Sequence, residues 1–199
     1  MQEIAQFING LTLAMGYIGI ADCMIALFGK HHGEDDDVYK FAYSVVEHIH
    51  NYAVDATNRN HLNFSCYASP AEGCCSTLRD KIYEQFGEIK GITDKEYLTN
   101  SHHIPVDYNI SIQRKIDLEA PFAKLATGGY IMYVELESSV THNAQVVEDI
   151  INYAMNSGLS YFALNFPISH CLDCHYDGDM NEECPECHSE NIEILGRVN

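Results

Sequence analysis

Two pairs of cysteines, Cys171-Leu172-Asp173-Cys174 and Cys184-Pro185-Glu186-Cys187, stand nine residues apart near the C-terminal end of the chain. Two thiolates three positions apart on a tight turn can point at one ion, and a second such pair closes a tetrahedron of sulfurs around zinc. His170, His175 and His188 flank the pairs, which leaves a set of three cysteines and one histidine possible. The symmetry of the two knuckles favours four sulfurs: Cys171, Cys174, Cys184 and Cys187. A thioredoxin-like redox centre needs one C-x-x-C at a strand-to-helix junction, and two pairs in a loop-rich tail do not fit that pattern.

Ser69-Pro70-Ala71-Glu72 reads as the start of a helix. Serine can cap, proline suits the first helical position and glutamate can close a capping box. A helix that begins directly after a buried strand presents backbone N–H groups and the positive end of a dipole, a seat for phosphate. Alone the motif is weak, because capping boxes are common. Cys74-Cys75 follows closely and could form a reactive vicinal pair, although helical geometry predicts one sulfur buried and the other facing sideways. Cys23 and Cys66 sit in apolar context and are expected in the core. The neighbouring pairs His31-His32 and His102-His103 are expected at the surface or behind a site rather than on one ion. His48 and His50 are expected on a partly packed helix face.

The elements that must position these groups follow from periodicity. Val38, Phe41, Ala42, Val45, Ile49, Tyr52, Ala53 and Ala56 mark a helix over 38–56. Asp35, Asp36 and Asp37 lie at its start, where the dipole favours negative charge, as a solvated helix end rather than a calcium site. Leu62, Phe64 and Cys66 alternate with Asn63, Ser65 and Tyr67 as a half-buried strand, and Cys75, Leu78 and Ile82 continue the helix after Ser69. The stretch 87–121 shows no sustained period and is expected to hold loops and short elements. Strands are expected over 130–136 and 161–166, with a helix over 143–157 between them and Gly158 in the left-handed position after it. Strand, helix and strand in that order make a βαβ crossover, hence an α/β body with parallel sheet.

Composition narrows the class. With 199 residues, 46% hydrophobic and 20% charged, the chain can bury a substantial core. Lysine and arginine number 11 against 29 aspartates and glutamates, a net charge of −18, which disfavours a nucleic-acid binder. The apolar stretch from Phe7 to Phe28 is interrupted by Asn9 and Asp22, and Glu3 stands where a signal peptide carries a base, so no membrane role is expected. A reducing, cytoplasmic compartment suits the cysteine pattern. From His170 the composition changes abruptly, dividing the chain into a body, 1–169, and a small four-cysteine zinc module, 170–199.

Several stretches together resemble the anaerobic (class III) ribonucleoside-triphosphate reductases, a family of glycyl-radical enzymes. Gly16-Tyr17-Ile18-Gly19-Ile20 is similar to the family's GYIGL segment, Ser69-Pro70-Ala71-Glu72 to its TPAE loop, and Thr99-Asn100-Ser101-His102-His103-Ile104-Pro105-Val106 to its TNS-x-HVPV stretch. Gly128-Gly129, the 161–166 strand and the double C-x-x-C follow in the family's order. Arg197-Val198-Asn199 resembles the beginning of the R-V-x-G-Y motif, whose glycine carries the stored radical. Ser69 stands for the usual threonine and Asp22 for the usual glutamate.

The resemblance implies the C-terminal part of a ten-stranded α/β barrel followed by a zinc-ribbon-like module. It implies that Ser69, Pro70, Ala71, Glu72 and Gly73 bind substrate phosphate, and that structural zinc holds the radical-bearing tail in place. The radical glycine is expected just beyond Asn199, and the thiyl-forming cysteine upstream of the matched region. No catalytic residue is therefore assigned here, and the chain by itself is expected to be inactive. The implied partners are the remaining part of the reductase chain, a radical-SAM activating enzyme, a ribonucleoside triphosphate, formate as reductant, and a second subunit in a homodimer. Two other readings remain: a non-catalytic zinc-ribbon interaction module on an α/β scaffold, and a cysteine-dependent enzyme using Cys74 or Cys75.

Overall fold

The computed structural model describes residues 10–136, 143–166, 168–178, 180 and 182–195. Strand β1 (Thr12–Tyr17) leads through Gly19, in the left-handed region at φ 73°, into helix α1 (Ile20–Phe28). The apolar N-terminal stretch is thus split between a strand and a short helix, and no described helix is long and apolar enough to cross a membrane. Helix α2 (Asp36–Asn60) runs longer at both ends than the periodicity predicts. Asp35 caps it by accepting hydrogen bonds from the amides of Asp37 and Val38, and His61 ends it at φ 54°. The triple-acid run is therefore a capped helix start. Val38, Ala42, Val46, Ala53 and Ala56 form the buried stripe.

Strand β2 (Asn63–Ala68) pairs in parallel with β1, with Thr12 opposite Asn63 and Tyr17 opposite Ala68. It leads into helix α3 (Glu72–Phe86). The stretch 87–121 departs from expectation, because it contains a full helix, α4 (Ile112–Ala123). The apolar period is broken there by Lys115 and Glu119, both buried, and Pro121 lies in the last turn. A charged pair that neutralises itself inside the fold erases the amphipathic signal.

Strand β3 (Met132–Glu135), helix α5 (Ala144–Asn156) and strand β4 (Phe162–Asn165) form the expected crossover, with β3 and β4 parallel and Gly158 at φ 91°. A parallel bridge between Tyr67 and Gly129, with the Gly128 amide donating to the Cys66 carbonyl at 2.7 Å, links the two strand pairs. This contact also corrects the reading of β2 as half-buried. Ser65 is buried as well as Cys66, because Gly128 lies so close that a Cβ there would come 3.0 Å from the Cys66 carbonyl oxygen.

One apolar cluster joins Tyr17, Met24, Val46, Cys66 and Phe122 across β1, β2, α1, α2 and α4, and a second joins Ile116, Met132, Val134, Ile150 and Ala154. The C-terminal tail has its own antiparallel sheet. Strand β5 (Ile168–Cys171) lies between β6 (Asp177–Gly178) and β7 (Ile192–Leu195), around a small cluster of Cys171, Met180 and Cys184.

Candidate functional site

Three backbone segments meet where β2 ends. The Ser69 amide donates to the Tyr17 carbonyl at 3.3 Å, tying the turn to the end of β1. The Ala71 amide donates to Asn100 Oδ1 at 3.3 Å, and the Ser101 hydroxyl donates to the Ser69 carbonyl at 2.9 Å. The Leu98 amide reaches the Cys75 carbonyl at 3.3 Å. Residues 98–101 thus clasp the turn from one side. Ser101 adopts φ 47°, in the left-handed region, which a non-glycine residue occupies at some cost and keeps only where its surroundings enforce it.

The helix start differs from the expected one. Helix α3 begins at Glu72 with Ala71 as its N-cap, a residue with no side-chain cap hydrogen bond. Ser69 and Pro70 are therefore outside the helix, and Pro70 is not its first residue. The Ser69 amide, the donor a capping box would give to a carboxylate, is instead spent on the Tyr17 carbonyl. A Cβ added at Gly73 would meet nothing within 4 Å, so this end of the helix lies open. An uncapped, open N-terminus at the C-terminal edge of parallel strands retains its partial positive charge for a ligand.

The clasp is itself held at both ends. Asp22, buried on α1, accepts from the Thr99 amide at 2.7 Å, and Lys95 Nζ lies 2.7 Å from its other oxygen. At the far end Glu119 accepts from the Ile104 amide at 2.9 Å and from Lys115 Nζ at 2.5 Å, and lies 3.0 Å from His103 Nδ1. Burial pushes the Glu119 carboxyl up, but the charges of Lys115 and the neighbouring histidines outweigh it and hold the group well below the usual carboxylate range.

Of the two places expected for the paired histidines, the surface or behind a site, the structure gives the second: His31, His32, His102 and His103 are all buried. The Tyr17 hydroxyl, kept protonated by burial, is hydrogen-bonded to His102 Nδ1 at 2.7 Å. His102 stacks on Phe122, with ring centroids 5.0 Å apart, and its carbonyl meets His32 Nε2 at 3.0 Å. Burial lowers the pKa of His102 well below the ordinary histidine value and that of His32 to about 4. Tyr17, His32 and His102 form an uncharged layer under the clasp. Sequence reasoning left the histidines between the surface and a place behind a site, because no local pattern separates a buried histidine from an exposed one, and it missed the buried Lys115–Glu119 pair.

Of the remaining cysteines, Cys66 and Cys75 are buried and Cys74 faces outward, as helical geometry predicts. Cys23 is exposed, against the expectation of a core residue, because it stands on the outer side of a nine-residue helix whose buried face is Ile20, Ala21 and Met24. His50 Nδ1 meets the Leu125 carbonyl at 2.8 Å from the partly packed face of α2.

In the tail, Cys171, Cys174, Cys184 and Cys187 bring their four sulfurs within 4.8 Å of one another. The pairs Cys171–Cys187 and Cys174–Cys184 stand 3.6 and 3.5 Å apart. Four sulfurs at about 2.3 Å from a tetrahedral zinc are separated by about 3.8 Å, so the arrangement fits that ion and is too open for disulfides. Backbone amides at Cys174 and Asp173 lower the Cys171 thiol to about 7, while burial and the adjoining sulfurs raise Cys174 and Cys187, as in a group of thiols that share their charge. Arg197-Val198-Asn199 lie outside the described residues.

The family model described as anaerobic ribonucleoside-triphosphate reductase matches residues 1–199. The anaerobic ribonucleoside-triphosphate reductase of Escherichia coli (strain K12) is 33% identical over 188 residues, covering 91% of this chain and 26% of its own length. That of Enterobacteria phage T4 is 34% identical over 183 residues, covering 92% of this chain and 28% of its own. This chain therefore spans about a quarter of the length of these curated relatives. Among solved structures, an anaerobic ribonucleotide reductase superposes with TM-score 0.73 at 22% identity over 96% of this chain and 30% of its own. The Thermotoga maritima anaerobic ribonucleotide reductase in complex with dATP and CTP does so with TM-score 0.72 at 21% identity, over 99% of this chain and 34% of its own. These structural likenesses carry the mixed α/β fold.

Proposed function

Because the chain belongs to the anaerobic ribonucleoside-triphosphate reductase family, we propose that it forms the C-terminal part of such a reductase's catalytic subunit. The complete enzyme would reduce ribonucleoside triphosphates to 2′-deoxyribonucleoside triphosphates. Its four parallel strands then belong to the wall of a ten-stranded α/β barrel, and residues 170–199 make a separate zinc module. A rival role as a zinc-ribbon interaction module explains the tail but not a family match that runs through the whole body.

The observation that carries the reading is the open N-terminus of α3, clasped by 98–101 and left without a side-chain cap. In this role Ser69, Pro70, Ala71, Glu72 and Gly73 hold substrate phosphate, with helix amides supplying the attraction that a protein of net charge −18 lacks in side chains. Cys171, Cys174, Cys184 and Cys187 hold zinc, which fastens the tail. The family's glycyl radical supplies hydrogen abstraction when present, and a radical-SAM enzyme that installs it, formate as reductant, a homodimeric enzyme and a cytoplasmic setting complete the proposal.

The test is equilibrium binding of a labelled ribonucleoside triphosphate to the complete enzyme. Gly73→Val, which places a branched side chain over the open amides, should weaken binding at least tenfold while zinc content stays constant. Unchanged affinity in that variant would remove the turn from the site.

A further inference from the structure

Two imidazoles beside the first cysteine knuckle face each other. His175 Nδ1 stands 3.5 Å from His170 Nε2, with ring centroids 5.6 Å apart. Two metal–nitrogen bonds of about 2.05 Å at a near-tetrahedral angle span about 3.4 Å, so one ion can reach both nitrogens with almost no movement. Neither histidine belongs to the four-sulfur group, whose mutually close ligand atoms are the cysteine sulfurs.

His170 is also prepared as a ligand. On the antiparallel ladder it lies opposite Asp177, and its Nδ1 is 2.7 Å from Asp177 Oδ1. A proton held on Nδ1 by that carboxylate leaves the Nε2 lone pair directed at His175. This is the carboxylate–histidine arrangement that fixes ring orientation and raises ligand basicity in metal sites.

The backbone supplies a further observation. His175 sits at φ 61° with its amide donating to the Cys171 carbonyl at 2.9 Å, a position where glycine carries no strain. His188 occupies the equivalent place after the second knuckle, at φ 57° with its amide on the Cys184 carbonyl at 2.8 Å. Its ring, however, has a distant carboxylate, Glu183 at 3.6 Å, in place of a facing imidazole. The two knuckles are alike in backbone, and the paired imidazoles distinguish the first.

We propose that His170 and His175, backed by Asp177, form a second, solvent-accessible site for a divalent transition-metal ion of the class that prefers imidazole, such as zinc or nickel. Water completes its coordination. The ion joins the first knuckle to β5, so it stiffens the tail from outside the four-sulfur centre.

The experiment is equilibrium dialysis of the full chain, with its sulfur site already filled, against ~100 µM zinc, which occupies any site whose dissociation constant lies well below that concentration. Two zinc ions per chain are expected. His175→Gly, which also relieves the positive φ, and His170→Gln should each return the count to one, while His188→Gly keeps two. Asp177→Asn should weaken the second site about 10- to 100-fold. Nitrogen chemical shifts of the unaltered chain give an independent reading: zinc should move His170 Nε2 and His175 Nδ1 and leave His188 in place. A second equivalent that persists in both histidine variants, no second equivalent in the unaltered chain, or unmoved His170 and His175 nitrogens would overturn the proposal.

Discussion

The hydroxyl of Ser69 lies where a Cβ on Gly16 would be, well inside contact distance. The end of β1 and the proposed phosphate turn therefore share one volume, and glycine at 16 is what gives Ser69 its place. Ser69 Cβ is 3.7 Å from the same point, so Gly16→Ala can be accommodated by rotating the hydroxyl, without moving backbone. The variant should fold with a stability loss of about 1 kcal/mol or less and, in the complete enzyme, bind triphosphate more weakly. Thermal unfolding and nucleotide titration separate the two effects.

Removing one arm of the clasp should act on binding rather than on the fold. Ser101→Ala deletes the hydrogen bond to the Ser69 carbonyl, a net contribution of about 1 kcal/mol, or roughly fivefold in an equilibrium constant. The substitution is expected to raise the KM for triphosphate by about that factor in the complete enzyme, with a smaller change in kcat. An equal fall in kcat at constant KM would place Ser101 elsewhere in the cycle.

The buried carboxylate of Glu119 serves Lys115, His103 and the Ile104 amide together. Glu119→Ala strands the Lys115 charge and should cost about 3–5 kcal/mol, visible in chemical denaturation. The double replacement Lys115→Met with Glu119→Leu removes both charges and should cost less than the single change, because no unpaired ion is then left inside.

Acid should destabilise the chain in two stages. His32 has its pKa lowered by burial from 6.5 to about 4. Between those values the unfolded chain takes up a proton that the folded chain refuses, so stability is complete above pH 6.5 and falls as pH drops to 4. The size for this one group is about 3 kcal/mol, and His102 shifts in the same direction. Glu119, held below the ordinary range, adds a further loss as pH falls below the normal carboxylate value near 4.5. Denaturation midpoints from pH 8 to 4 should show the first stage, flattened in His32→Gln.

Chelation of the zinc proposed for the tail should unfold the tail alone. The apolar cluster there holds Cys171, Met180 and Cys184 with Ile192 packed against it, too few groups to stand without an ion. Cys184→Ser or exhaustive chelation is expected to abolish amide protection over 168–195 and to leave that of β1, β2 and α2 unchanged in hydrogen exchange.

Local chemistry made much of this molecule legible from sequence. The knuckle spacing identified the four sulfurs, because ligands close in the chain need only a turn to converge, and the stripe on α2 and the β3–α5–β4 crossover declared themselves by period. The turn at Ser69 was found through its residue types, yet its form was misread, since the group that takes the Ser69 amide is the Tyr17 carbonyl on another strand, and the segment that holds the turn, Asn100 and Ser101, lies about thirty residues away. Helix α4 and the Lys115–Glu119 pair were invisible for the same reason, and the histidines stayed undecided between the surface and the layer behind the site. A charge or an imidazole enters a core only when a distant group compensates it, and that compensation exists in three dimensions before it exists in any pattern along the chain.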